Sequence, residues 1–264
     1  MSGTSPTRRH QRRIQVVAAT VSLGFLVAAC GDDQGTSASA PGGDIASFCD
    51  ASLEVVGLSR AESVEDDDLD AARAHAAVMV AAARQVLDAS PDSVRTDVET
   101  MLAAAEAAAE TGDGSAFQSP EFAAAETKWH AAGLEACGWA IERVTMTEYL
   151  FDGIPATMAP GITSFELSND GGEFHVIAIL RKNDGVDEDF AELLAKPDGA
   201  GFEDMTEVAS GFVAPGQSGY ALGELTPGEY IAICPIPVGA DGGAPEPDAL
   251  THFQHGMQQR FTVA

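Results

Sequence analysis

Leu225-Thr-Pro-Gly-Glu-Tyr-Ile-Ala-Ile-Cys234 decides how the second half of this chain is read. Pro227-Gly228 is a turn between two β-prone runs, 220–225 and 229–233, and the second run ends on a cysteine. Outward from it, the same grammar repeats. Upstream, runs 162–167 and 174–180 are separated by Asn169-Asp170-Gly171-Gly172, and Asn183-Asp184-Gly185 ends the second. Residues 187–195 suit one or two helical turns, and a looser stretch runs on to Ala209. Short strands are expected at 211–213 and, closing the chain, at 259–263. Several short strands with Gly/Pro/Asn turns, beginning near Thr145, predict a β-sandwich or barrel over 145–264.

Residues 44–141 follow a different period. Ile45, Phe48, Cys49, Leu53 and Val56 form an apolar stripe at helical spacing, with Gly57 as its expected end. Ser63 and Asp66 suit a capping box, with acids crowding the first turn of a second helix that carries Leu69, Ala72, Ala76, Met79, Val80, Ala83 and Leu87. Ser90-Pro91 and Ser119-Pro120 read as starts of a third and fourth helix, because proline at the first helical position forfeits no hydrogen bond. Val94, Val98, Met101, Leu102 and Ala105 line the third, which Gly112 ends; Phe122, Ala125, Trp129, Ala132 and Ala136 line the fourth. Four such stripes predict a small antiparallel four-helix bundle, so the fold class expected is α+β in two domains.

Residues 1–30 combine Arg8, Arg9, Arg12 and Arg13 with an apolar run over 14–29 and the ending Val27-Ala28-Ala29-Cys30. A basic head, a short apolar stretch and small residues are the parts of a secretory signal, and the run is short for a spanning helix. The ending resembles the lipobox of bacterial lipoproteins, which implies a lipidated Cys30, palmitate among its acyl chains, and a protein held on the outer face of the cell membrane. Residues 31–43 lack apolar periodicity and read as a flexible tether. The formal charge is −27, and about −31 by the same count without the signal. Such a surface repels nucleic acid and anionic headgroups, which excludes both as direct partners, while it suits a basic protein.

Of four cysteines, Cys30 is assigned to lipid. Cys49 on the first helix and Cys137 at the end of the fourth would meet in an up-down-up-down bundle, and outside the cytoplasm they would oxidise to a disulfide. The alternative is two buried thiols. Cys234 then lacks a partner, and metal ligation is one reason to keep such a thiol.

The second half resembles the cupredoxin family, the plastocyanin/azurin-like copper proteins. Asn169-Asp-Gly-Gly-Glu-Phe-His175 is similar to the family's Asn-rich turn and first histidine ligand, and 225–234 to its Pro-Gly-x-Tyr strand ending in the thiolate. His252-Phe-Gln-His-Gly-Met257, followed by Phe261-Thr-Val, has its His-x4-Met spacing and closing strand. The resemblance implies a cupredoxin-like β-sandwich in which His175, Cys234 and His252 are equatorial copper ligands and Met257 is axial. Seventeen residues, 235–251, separate Cys234 from His252, where the family uses a tight loop. His255 is an alternative ligand.

Other constellations are missing. Gly216-Gln-Ser-Gly-Tyr220 fails the nucleophile-elbow pattern at its last position, and no P-loop, zincin or EF-hand motif occurs. Three histidines in this half are too few for a multicopper oxidase. His75 and His130 lack carboxylates at helical spacing that would suggest zinc. The function expected is therefore not enzymatic: a lipid-anchored protein binding copper for electron transfer or copper handling, with a basic redox or copper-handling protein as partner. The alternative is a metal-free binding or adaptor module on a degenerate cupredoxin scaffold.

Overall fold

The computed structural model describes residues 44–60, 69–239 and 249–264. The signal-like segment with Cys30, the tether and the Ser63 capping box lie outside the described residues. Four helices come first: α1 (Ile45–Arg60), α2 (Leu69–Ala89), α3 (Arg95–Thr111) and α4 (Pro120–Cys137). Two boundaries differ from expectation. Gly57 lies inside α1 rather than ending it, since a mid-helix glycine costs only about 1 kcal/mol against alanine and does not break the hydrogen-bond ladder. Ser90-Pro91 forms a turn rather than the start of α3: the Pro91 carbonyl accepts from Val94 and Arg95 amides, both at 3.1 Å. The Ser90 hydroxyl turns back to the Val86 carbonyl at 2.7 Å, so it is spent on α2. Ser119 does cap α4, accepting from the Phe122 amide at 3.1 Å, and Gly112 ends α3 at φ 78°, which favours glycine.

Phe48, Ala51, Val86, Val94, Val98 and Trp129 bury together, with Cys49 and Cys137 packed against them. Those two cysteines are joined as a disulfide with Cα atoms 5.7 Å apart, tying α1 to α4 as expected. Among the described residues, no helix is long and apolar enough to cross a membrane.

The strands are β1 (Ala140–Thr147), β2 (Leu150–Asp152), β3 (Thr157–Met158), β4 (Gly161–Asn169), β5 (His175–Lys182), β6 (Met205–Val213), β7 (Ser218–Leu225), β8 (Gly228–Ile233) and β9 (Gln258–Val263). They form a four-stranded sheet in the order β2-β1-β4-β7 and a five-stranded sheet in the order β3-β9-β8-β5-β6. Both are mixed: β1 runs parallel to β4, and β3 parallel to β9. Val144, Phe165, Leu167 and Ala221 from the first sheet bury in one cluster with Ile177, Ile179, Tyr230, Ala232 and Phe261 from the second, which makes a sandwich.

Strand structure begins at Ala140, five residues before the expected Thr145, because Gly138 in the left-handed region turns the chain straight out of α4. β6 begins at Met205, inside the stretch read as loose. Neither strong turn closes a hairpin. The 169–172 turn carries the chain from β4 to the other sheet, and Thr226-Pro227 does the same between β7 and β8. At the second crossing the Tyr230 hydroxyl donates to the Thr226 carbonyl at 2.7 Å and accepts from the Thr226 amide at 2.9 Å. With its ring stacked on Phe261 at 5.1 Å, Tyr230 pins the corner from inside the core.

Helices and sandwich meet through α4. His130 Nε2 lies 2.8 Å from the Ser164 hydroxyl, and its ring stacks on Tyr220 at 3.8 Å. Burial pushes the His130 pKa down to about 4, so at neutral pH it packs as an uncharged aromatic. Gly133 is required nearby: a Cβ there would sit 2.2 Å from the Trp139 ring. Residues 182–206 form a compact unit of their own. It holds a fifth helix, α5 (Phe190–Leu194), opened by a capping box between Asp189 and Glu192, and Lys196 bridges Asp204 at 2.7 Å and Glu188 at 3.2 Å.

Candidate metal centre

His175 is set by the bend before it. Buried Asn169 donates through Nδ2 to the carbonyls of Glu173 (2.8 Å) and Val213 (2.9 Å) and accepts from the Gly171 amide (2.9 Å). Those bonds hold the bend that leads into β5, with His175 as its first residue. Cys234 follows β8, the antiparallel neighbour of β5, and its Sγ accepts from the Val176 amide at 3.4 Å.

The long excursion after Cys234 is closed at its base. Pro237 and Thr251 form a bridge, the Val238 amide donates to Leu250 (2.9 Å), and the His252 amide donates to Ile236 (2.8 Å). The Phe253 amide then donates to the Cys234 carbonyl itself at 2.9 Å. The ends of 235–251 are thus zipped together, which returns His252 to Cys234 whatever the length between. A short 3-10 helix, His252–His255, is opened by a Thr251–Gln254 capping box and ended by Gly256 at φ 108°. That places Met257 back in the core, its amide donating to His252 (3.0 Å) and its carbonyl accepting from Cys234 (3.2 Å).

The outcome is a group of three donors. One ligand atom each from His175, Cys234 and His252 lies within 4.8 Å of the others, and all three residues are fully buried. His175 Nδ1 is 3.1 Å from His252 Nδ1, and Cys234 Sγ is 3.4 Å from the same nitrogen. His252 Nε2 meets Glu173 Oε2 at 3.0 Å, so that nitrogen carries the proton and Nδ1 presents a lone pair inward. One lone pair is then faced by both a thiol and a second imidazole nitrogen. His175 Nε2 is buried without a hydrogen-bond partner, with Glu148 Oε1 3.9 Å away. Burial, then the neighbouring His252, push the His175 pKa down, which keeps the ring neutral. Burial also pushes the Cys234 thiol up, against backbone bonds from Val176 and Ile236. Two imidazole nitrogens and a sulfur crowded around one point, where a single lone pair on His252 Nδ1 cannot satisfy both neighbours, suit a soft cation better than a metal-free core.

Met257 is fully buried in the same cluster as Cys234, as an axial ligand would need. His255 stays outside. It is exposed on the 3-10 helix, with its ring stacked on Tyr149 at 4.9 Å, so His252 rather than His255 joins the group. Three surrounding residues had not been picked out from sequence: Glu148, Glu173 and Tyr149. Glu148 Oε1 accepts from the Gly172 and Glu173 amides at 2.5 and 3.0 Å. Bonds from its own and the Gly172 amides hold its carboxyl below the usual range. Tyr149, at φ 66°, sets its ring edge-on to His252 at 5.5 Å.

No family model matches the chain, and no curated protein does. Solved structures match part of it. Dithionite-reduced auracyanin from Roseiflexus castenholzii is 20% identical with a TM-score of 0.33, over 47% of this chain and 97% of that one. Auracyanin A, a "blue" copper protein from Chloroflexus aurantiacus, is 17% identical with a TM-score of 0.30, over 46% and 99%. A multicopper oxidase from Pediococcus acidilactici is 14% identical with a TM-score of 0.27, over 48% and 26%. Likeness at these values assigns no activity to this chain, and the donor geometry stands by itself.

Proposed function

We propose that this chain is an exported, lipid-anchored copper protein with a cupredoxin-like sandwich, carrying electrons or copper outside the cytoplasmic membrane. One observation carries the reading: His175, Cys234 and His252 converge in the core with no exposed surface of their own. In it, His175 and His252 bind through Nδ1, Cys234 through its thiolate and Met257 as a weak axial thioether. Bound copper would supply one-electron exchange between Cu(I) and Cu(II). The protein's part is to hold soft sulfur and borderline nitrogen in one dry pocket, so that neither oxidation state demands rearrangement. The two strand ends and the zipped loop base supply that rigidity. The helices, which we read as a four-helix bundle, would space the sandwich from the membrane. The acidic surface suits a basic redox or copper-handling partner.

Anaerobic titration of the soluble domain with Cu(I), then oxidation, tests the metal reading. One equivalent should bind, and the Cu(II) form should show an intense thiolate charge-transfer band. Absence of binding in either oxidation state by the folded domain would leave the metal-free adaptor reading in its place. The anchor is tested separately: Cys30→Ala should stay unprocessed or leave the membrane fraction, and parent-like fractionation would defeat it.

A further inference from the structure

The carboxylate of Glu173 makes two contacts, one to a proposed ligand and one to the loop that carries it. Oε2 accepts a hydrogen bond from His252 Nε2 at 3.0 Å and another from the Gly239 amide at 2.9 Å. Gly239 sits at the outgoing end of the excursion between Cys234 and His252, and His252 sits at its return. One side chain thus joins the ligand to the loop that delivers it. Its backbone is fixed as well, through the Asn169 Nδ2 bond to its carbonyl and the Glu148 bond to its amide.

The geometry points to Glu173 as a positioning residue with an electrostatic role: it clamps the base of the long loop, fixes His252 with Nδ1 inward, and biases the centre towards oxidised copper. The inference rests on the copper reading above. A carboxylate on the far nitrogen of a ligand histidine raises that ring's basicity and orients it, and such outer partners alter metal affinity by about 10–100-fold. Its negative charge lies in a largely buried setting, with the Glu173 side chain 23% exposed, where solvent screens it less than at the surface. The dication gains more from that charge than the monocation. Closing the loop through a charged clamp also compensates for the missing tight connection between Cys234 and His252.

Glu173→Gln keeps volume and a carbonyl oxygen that can accept from both His252 and Gly239, and removes only the charge. Cu(II) affinity should fall about tenfold with Cu(I) affinity nearly unchanged. That tenfold change corresponds to a rise of about 59 mV in the reduction potential. Glu173→Ala removes the clamp too, so Cu(I) affinity should also fall by about tenfold or more. In the metal-free protein, hydrogen exchange at the Gly239 amide should quicken in Glu173→Ala and be largely restored in Glu173→Gln. An unchanged potential in copper-loaded Glu173→Gln overturns the electrostatic role, and parent-like Gly239 exchange in Glu173→Ala overturns the clamp. Failure of the parent to bind copper would instead sink the metal reading, and with it the bias, before any variant is made, while the exchange measurement still decides the clamp.

Discussion

Cys234→Ala should abolish the charge-transfer colour of the Cu(II) protein outright and weaken Cu(I) binding by about 100-fold or more, without unfolding the sandwich. The colour requires a thiolate on the metal, and among the described residues Cys234 is the free cysteine. Soft sulfur is also what favours the reduced ion, so imidazoles alone hold Cu(I) poorly. The fold survives because the loss is small: a buried thiol behaves as a small hydrophobe, and replacing it costs on the order of 1–2 kcal/mol including the acceptor it offers the Val176 amide. Because burial raises the thiol pKa, the metal-free residue is protonated at neutral pH, and copper must displace that proton. Affinity should therefore rise with pH below the thiol pKa. His252→Ala should lower copper affinity while keeping the thiolate that gives the colour, whereas His255→Ala, exposed and stacked on Tyr149, should bind as the parent does. A coloured Cu(II) complex in Cys234→Ala, or equal losses from the two histidine variants, would sink the ligand assignment.

What could be read from the sequence was set by how local its cause is. The strands 162–167, 174–180, 220–225 and 229–233 were legible because each carries its own turn residues and alternation, and each lies within an observed strand apart from Phe174, just before β5. The three donors were legible only through the resemblance to cupredoxin motifs, whose spacings to Tyr230, Met257 and Asn169 lie within single strands and turns. Pairing was not. Whether Asn169-Asp170-Gly171-Gly172 closes a hairpin or changes sheet is decided by Val213, forty-four residues on, which receives the Asn169 side chain. β2 and β3 escaped because two or three residues carry no period; they exist through their partners β1 and β9. The seventeen residues 235–251 stand where the family uses a tight loop, yet their described ends pair with each other, a contact composition does not reveal. Glu148 and Glu173 are lone acids among forty-one acidic residues, and only the fold picks them out.

Breaking the Cys49–Cys137 crosslink should have the largest effect on stability, about 4–5 kcal/mol in a Cys49→Ala/Cys137→Ala double variant. The bridge spans 88 residues and so removes much of the unfolded chain's loop-closure entropy. The helices have little else of comparable size. Their buried positions are dominated by alanine and valine (Ala76, Val80, Ala82 and Val86 on α2; Val98, Ala104, Ala105 and Ala108 on α3), each of which buries less apolar area than a leucine or phenylalanine. Phe48 and Trp129 are the large side chains at the seam between α1 and α4, and Trp129 adds a bond from Nε1 to the Ser52 hydroxyl at 3.2 Å. A loss of 4–5 kcal/mol approaches the whole stability of a small domain, so the helices should melt in the double variant well before the sandwich. Urea unfolding followed by tryptophan fluorescence, which reports on Trp129 and Trp139 beside α4, reads that transition, while the copper band reports the sandwich separately. Unequal transitions from the two probes are expected in the double variant. A helical transition displaced by less than about 1 kcal/mol would mean that packing around Phe48 and Trp129, and not the crosslink, holds α1 against α4.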